Sequence, residues 1–265
     1  MNQIKYVLMD PSKNITILVE TKIPIDKQNE VAKKLMDLEP KAEQLGFIMS
    51  SRENEIIIRM AGGEFCGNAA MSVASLYAIE NEFENHNIDV AFYGNENNIR
   101  SKVKVSVKRM NEGTYEALVH MPVPKNIETI NLTGFKELPI VSLDGISHII
   151  VDEEVKKNLA EKYIKNWCND LNLEALGLMF YKKINDTNYE LRPLVYVRDI
   201  GSLFWENACA SGTYAFGIYM MSQDKKLSHI YIRQAGGDVM EVKNEDDNFC
   251  LIGQVKYLCE RIVNI

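Results

Sequence analysis

The 265-residue sequence lacks the patterns that mark a metal site. It has no CxxC pair, and its four histidines (His86, His120, His148, His229) form no HxxxH or HExxH pair. Neither structural nor catalytic zinc is expected, so no residue is assigned to a metal. The five cysteines are odd in number and scattered, which does not build a disulfide framework. No lysine/arginine block interrupts the net charge of −7, which argues against nucleic acid and anionic membrane as partners. No apolar run reaches the length of a membrane span. The start, Met1-Asn2-Gln3-Ile4-Lys5, has no signal-peptide core. A cytoplasmic protein is expected. No pyridoxal-lysine motif stands out, and no cofactor is expected.

What the chain does have is apolar content of 46%, enough for one large domain or two moderate ones with sizeable cores. It also has one motif that occurs twice. Glu64-Phe65-Cys66-Gly67-Asn68-Ala69-Ala70 is echoed about 140 residues later by Glu206-Asn207-Ala208-Cys209-Ala210-Ser211-Gly212-Thr213. Each places a cysteine in a small-residue turn that opens a helix. Ala70, Val73, Ala74, Tyr77 and Ala78 form the apolar spacing of the first helix, and Tyr214, Ile218 and Met221 that of the second. Asn68 and Ser211 are the expected helix caps. A cysteine at the positive end of a helix dipole is expected to favour the thiolate. The unpaired backbone N–H groups of the same turn can hold an anion.

Around these turns the chain reads as a loose internal duplication. Strands are expected at 4–9, 16–20, 47–51 and 55–60, with a helix over 27–38. The strand at 55–60 runs into Ala61-Gly62-Gly63 and delivers Cys66. Short strands at 90–92, 103–107 and 115–120 lead to Met121-Pro122-Val123-Pro124, a break that reads as a domain boundary. The second half repeats the order: strands at 140–143 and 148–152, and a helix over 155–171 with Leu159, Tyr163 and Trp167 facing inward. Strands at 178–182 and 191–198 follow, and the stretch to Trp205 delivers Cys209 to a helix that runs to about Met221. Strands at 230–233, 239–242 and 251–255 close the sheet, with Gly236-Gly237 as a tight turn. The expected architecture is α/β (α+β): two lobes, 1–121 and 122–254, each a mixed sheet wrapped around a central helix. The last strand, at about 255–265, returns to the first lobe. The active site is expected in the cleft between lobes.

The two cysteine motifs resemble those of the diaminopimelate epimerase-like family, pyridoxal-phosphate-independent racemases and epimerases with two similar lobes. Asn14 matches the asparagine of that family's N-terminal motif, Glu43-Gln44 its acidic–Gln pair, His148 its histidine, and Gly236-Gly237 a late double glycine. The chain departs from the diaminopimelate enzymes where they carry Glu-Arg-Gly before the second cysteine, since Asp199–Trp205 stands there, and their Pro-His is replaced by Ser147-His148. These departures argue against a dicarboxylic substrate. The motifs are most similar to those of the histidine racemases of opine-metallophore (staphylopine-type) synthesis.

The resemblance implies a cofactor-independent racemase that interconverts L- and D-histidine. One of Cys66 and Cys209, as thiolate, removes the α-proton while the other, as thiol, returns one to the opposite face. Carbanion charge would be held by backbone N–H groups at Gly67, Asn68, Ser211 and Gly212, with Ala210 in the same turn. Glu43 and Glu206 could receive the substrate ammonium, with Asn14 and Gln44 as substrate-side hydrogen bonders and His148 in an auxiliary role. Cys168, Cys250 and Cys259 read as inert small hydrophobes. Phe204 and Trp205 read as core, with the lining of an imidazole pocket as the alternative. The rival functions are diaminopimelate epimerase, a hydroxyproline-type dehydratase of the same fold, and a non-catalytic binding module. The expected partner is a small amino acid, and a homodimer stays open.

Overall fold

The computed structural model describes residues 3–265 apart from 95, 97, 153, 246 and 247. The chain divides into two compact units, Met1–His120 with Ile252–Ile265, and Met121–Leu251.

The first unit contains β1 (Gln3–Pro11), β2 (Ile15–Val19), α1 (Ile25–Leu38), β3 (Ala42–Arg52), β4 (Glu55–Met60), α2 (Gly67–Glu80), β5 (Asn85–Tyr93), β6 (Ile99–Asn111) and β7 (Thr114–His120). The strands lie side by side in sequence order and continue to β16 (Asn248–Asn264), which also pairs antiparallel with β1, so the sheet closes on itself. The second unit contains β8 (Asn126–Leu132), β9 (Phe135–Ser142), β10 (Ser147–Val151), α3 (Lys157–Asp170), β11 (Ala175–Lys183), β12 (Asn188–Val197), β13 (Ser202–Trp205), α4 (Ala210–Gln223), β14 (His229–Arg233) and β15 (Val239–Glu245). Its order is β15-β14-β12-β11-β10-β9-β8, with β13 beside β12.

The duplication is visible in the strand directions. In the first unit the two parallel pairs, β2 with β3 and β4 with β5, are joined through α1 and α2. In the second, β10 with β11 and β12 with β14 are parallel and joined through α3 and α4. Every parallel pair needs a crossover, and a helix supplies it. Hairpins such as β5–β6, β6–β7 and β11–β12 join antiparallel neighbours that are consecutive in the chain. The second unit adds β13 between β12 and α4.

The two helices of each unit differ in kind. α1 and α3 are amphipathic and cover one face of their sheet. On α3, Ala160, Ile164, Trp167 and Cys168 are buried, packed with Leu138, Ile149, Leu176 and Leu194. Leu159, expected to face inward, is 40% exposed. The inward stripe starts at Ala160 instead, one residue later, and Tyr163 packs from its edge, stacked on Trp167 at 5.1 Å.

α2 and α4 are buried almost all round. From Gly67 to Leu76 every residue of α2 is buried, and α4 is buried continuously from Ala210 to Ile218. A helix with no polar face needs protein on every side. α2 is met by β1, β2, β3, β5, β6 and β7, and α4 by β9, β10, β11 and β15. Small side chains let the strands approach. At Gly217, a Cβ would lie 2.7–2.8 Å from three side-chain atoms of Val242 on β15.

Candidate active site

In the first unit, β4 ends in a tight turn. Gly63, at φ 75°, donates its N–H to the Met60 carbonyl at 2.9 Å. Phe65 then anchors the chain, buried with its ring edge-on to Phe92 at 4.9 Å. This puts Cys66 at the start of α2 in an extended conformation, 6% exposed. Cys66 is itself the helix cap: its sulfur accepts the Ala69 N–H at 3.3 Å. Its thiol donates to Gln44 Oε1 on β3 at 2.7 Å. Gln44 pairs in register with Thr16 of β2, which brings the β2 and β3 ends together. Beside it, Asn14 is fully buried and donates from Nδ2 to Glu43 Oε2 at 2.9 Å. Asn14, Glu43, Gln44 and Cys66 therefore form two neighbouring contacts. Gly67 and Asn68 follow as the first two residues of α2, ahead of its first main-chain bond, Ala70 N–H to the Cys66 carbonyl at 3.0 Å.

In the second unit, Cys209 occupies the same place at the head of α4, 4% exposed. Ala210, Ser211 and Gly212 precede the first helical bond, from Thr213 N–H to the Cys209 carbonyl at 2.8 Å. Ser211 Oγ lies 3.7 Å from the Cys209 sulfur and 3.0 Å from His148 Nε2. A Cβ on Gly212 would fall 2.1 Å from Met179 Sδ and 3.2 Å from the Cys209 sulfur, so a side chain there would press on both. His148 is packed equally closely: a Cβ on Gly177 would come within 2.3 Å of its Nδ1.

The electrostatics of this half differ from the sequence expectation. Burial pushes the Cys209 thiol well above its usual range, and the Glu206 carboxylate adds to the rise. The Gly212 N–H and the Ser211 hydroxyl pull the other way without prevailing. The helix dipole was expected to favour thiolate, but removing the sulfur from water outweighs it. Burial also drives His148 down to about 3, so its imidazole is neutral at ordinary pH. When Nε2 is the donor, the Ser211 hydroxyl proton is left to point at the Cys209 sulfur.

The expected caps are also corrected. Asn68 and Ser211 sit one residue inside their helices, because the cysteines take the capping position. Trp205 belongs to the outer core. Its Nε1 donates to Glu161 of α3 at 2.9 Å, and its ring stacks on Phe180 at 5.6 Å. Phe204 is half-buried on β13. Cys168 and Cys250 are buried and Cys259 is half-buried, and none of the five cysteines is in a disulfide. One residue near Cys209 escaped the sequence reading. Gln234 accepts the Cys209 N–H at 3.3 Å and donates to Thr213 Oγ1 at 2.9 Å. Its signal was phase: Ile230 and Ile232 are the inward residues of β14, and Gln234 follows as a polar residue in the same inward phase. Among the described residues, no group of three His, Cys, Asp or Glu is placed to hold a metal ion, and no helix is long and apolar enough to cross a membrane.

The duplicated fold is that of known racemases and epimerases. A hydroxyproline epimerase from Agrobacterium vitis superposes with a TM-score of 0.68 at 10% identity, over 99% of this chain and 91% of that one. Sequence comparison is more specific. Residues 3–253 match the family model described as the histidine racemase CntK N-terminal domain. A histidine racemase of Fusobacterium nucleatum is 33% identical over 266 residues, covering 96% of this chain and 94% of the relative. One from Staphylococcus aureus is 28% identical over 249 residues, covering 89% and 87%. The chain therefore belongs to the histidine racemase family, and by class it is an amino-acid racemase.

Proposed function

We propose that the substrate is histidine and that Cys66 and Cys209 form the base–acid pair. The observation that carries this reading is the near full-length match to histidine racemases, in a chain whose two units each begin a buried helix at a cysteine.

One sulfur, as thiolate, takes the α-proton, and the other, as thiol, supplies a proton to the opposite face. The reverse direction exchanges the roles. A free thiol has a pKa of about 8.5, far below that of an amino-acid Cα–H, so the carbanion needs stabilisation. Its charge spreads onto the substrate carboxylate, where the N–H groups at Gly67, Asn68, Ser211 and Gly212 would hold it. Burial of both cysteines strengthens such bonds by excluding water. Glu206, only 5% exposed, would receive the substrate ammonium. Asn14, Glu43 and Gln44 would bind from the first unit, and Ala210 would line the second turn. His148 would act through Ser211. Five cysteines without a disulfide suit a reducing compartment, and we place the enzyme in the cytoplasm.

The test is incubation in heavy water with a panel of L-amino acids, read by mass spectrometry and chiral chromatography. Deuterium at Cα of histidine, with D-histidine accumulating, is expected. Uptake confined to diaminopimelate would move the assignment to the epimerase. Loss of water from hydroxyproline would move it to the dehydratase, and no exchange with any amino acid would end it.

A further inference from the structure

The two cysteine turns are held by different means. In α2 the sulfur of Cys66 is itself the cap. In α4 the corresponding N–H, that of Gly212, is drawn toward the Cys209 sulfur but forms no full capping hydrogen bond. That helix start is instead held from outside, by the turn between β14 and β15. Gln234, 2% exposed, accepts the Cys209 N–H on its carbonyl oxygen and donates from Nε2 to Thr213 Oγ1 and to the Ile232 carbonyl at 3.3 Å. One amide thus spans the first turn of α4, from its cap to the residue four positions on. Two residues later the same turn takes a second grip: the Gly236 N–H donates to the Asn207 carbonyl at 2.8 Å. The turn is closed on itself by Gln234 N–H to the Asp238 carbonyl at 2.8 Å and Gly237 N–H to the Gln234 carbonyl at 2.9 Å. It therefore clasps the segment before the helix at two points, either side of Ala208.

We propose that Gln234 is a positioning residue for the reaction: it carries the backbone of Cys209, so that the helix start does not depend on the sulfur, which is kept for proton transfer. The proposal rests on the assignment of Cys209 as a catalytic thiol. Gln234 acts through the backbone of Cys209, and its side-chain oxygen is what the Cys209 amide requires. Without that oxygen the buried amide has one partner fewer, and the sulfur can turn inward to cap the helix or swing out with a loosened loop. Either movement takes it from the position the α-carbon needs.

The test compares wild type, Gln234→Leu and Gln234→Glu by peptide-mapped thiol alkylation and by histidine racemisation. Leucine removes both amide functions at similar size, whereas glutamate keeps an acceptor oxygen. In Gln234→Leu, the alkylation rate of Cys209 is expected to change by about fivefold or more, while Cys168 and Cys250 stay as protected as in wild type and kcat falls about tenfold. In Gln234→Glu, which keeps the acceptor but adds a carboxylate beside Cys209, the pH midpoint of Cys209 alkylation is expected to move up, as a carboxylate there must push it, and the rate corrected for that midpoint is expected to stay within about twofold of wild type. A Cys209 rate unchanged in Gln234→Leu would overturn the proposal. So would joint acceleration of Cys168 and Cys250, which would show general loosening. Alkylation needs no turnover, so failure of the catalytic assignment shows separately, as wild-type racemisation by Cys209→Ser.

Discussion

His148 offers a quantitative test of how the second unit is built. It is fully buried, and burial alone moves its pKa from 6.5 to about 3. The unfolded chain then binds a proton that the folded chain refuses. Below the unfolded value the folded state loses stability as pH falls, and the loss continues until the folded pKa is reached. The sign is that of a group whose neutral form is favoured by folding: the contribution is complete above pH 6.5 and gone near pH 3. One pH unit is worth about 1.36 kcal/mol, so acidification from about pH 6.5 to about pH 5 costs about 2 kcal/mol through this residue alone. That is a large share of a net stability of about 5–15 kcal/mol.

The perturbation is His148→Gln, which does not titrate and keeps a polar atom for Ser211 Oγ, the present partner of Nε2 at 3.0 Å. Urea unfolding followed by circular dichroism at about pH 7.5 and about pH 5 gives the change in stability for each protein. Every other titrating group is common to both, so the difference between them isolates the histidine. Wild type is expected to lose about 2 kcal/mol more than the variant over that interval. Parallel losses would refute the argument, because an imidazole that takes up a proton without cost is not excluded from water.

Cys66→Ser and Cys209→Ser are each expected to lower racemisation by about 100–10,000-fold, the range for loss of an acid–base group; each can retain α-proton exchange of one enantiomer, and a near-wild-type rate removes that cysteine from the mechanism. Glu206→Gln removes the charge that, after burial, raises the Cys209 thiol; the pH midpoint for alkylation of Cys209 should therefore move down, and an unchanged or higher midpoint contradicts the assignment. Gly217→Ala drives a Cβ to 2.7 Å from Val242 and is expected to cost about 1–3 kcal/mol, read as a lower Tm. Val242→Ala should recover part of that loss in the double variant, and additive losses would show that the two do not touch.

The parts of the fold that were legible in the sequence are those where one physical requirement dominates. A helix wrapped by strands needs small side chains, and the runs around Ala69-Ala70 and Ser211-Gly212 announce this directly. Paired cysteines within such runs have no packing reason to be there, which is why both turns stood out. Exposed strands were harder. β8 was missed because most of Asn126–Leu132 faces solvent, so its sequence carries no inward–outward contrast. β16 reads in the sequence as two pieces, 251–255 and about 255–265, but is one strand from Asn248 to Asn264; beyond Val255 its side chains are half-buried at best, so the inward–outward contrast that would join the pieces is lost. Capping was misassigned since Asn and Ser are the usual caps, whereas here a sulfur takes one place and a distant glutamine supports the other. Gln234 lies 25 residues from its partner, and long-range pairing of that kind leaves no local pattern.

The difference between the two turns bears on how a duplicated fold can serve a reaction with unlike halves. In the mechanism proposed above, proton abstraction and proton return would need one sulfur with its proton and one without. A fold copied with identical surroundings would offer two equivalent sulfurs, and nothing in it would separate their duties. Here the copies keep the same strand directions and the same helix start, and vary the groups around them. Cys66 donates a hydrogen bond to an amide oxygen, Gln44 Oε1, and accepts the Ala69 N–H in return. Cys209 is deeper in apolar surroundings, beside a carboxylate and a hydroxyl, and burial and Glu206 both hold its proton in place. A substrate ammonium paired with Glu206 would cancel part of that hold, because a cation beside the carboxylate offsets its charge at the sulfur. Proton release from Cys209 would then be easiest when substrate is bound, and a buried thiol would stay protonated and unreactive in the empty enzyme.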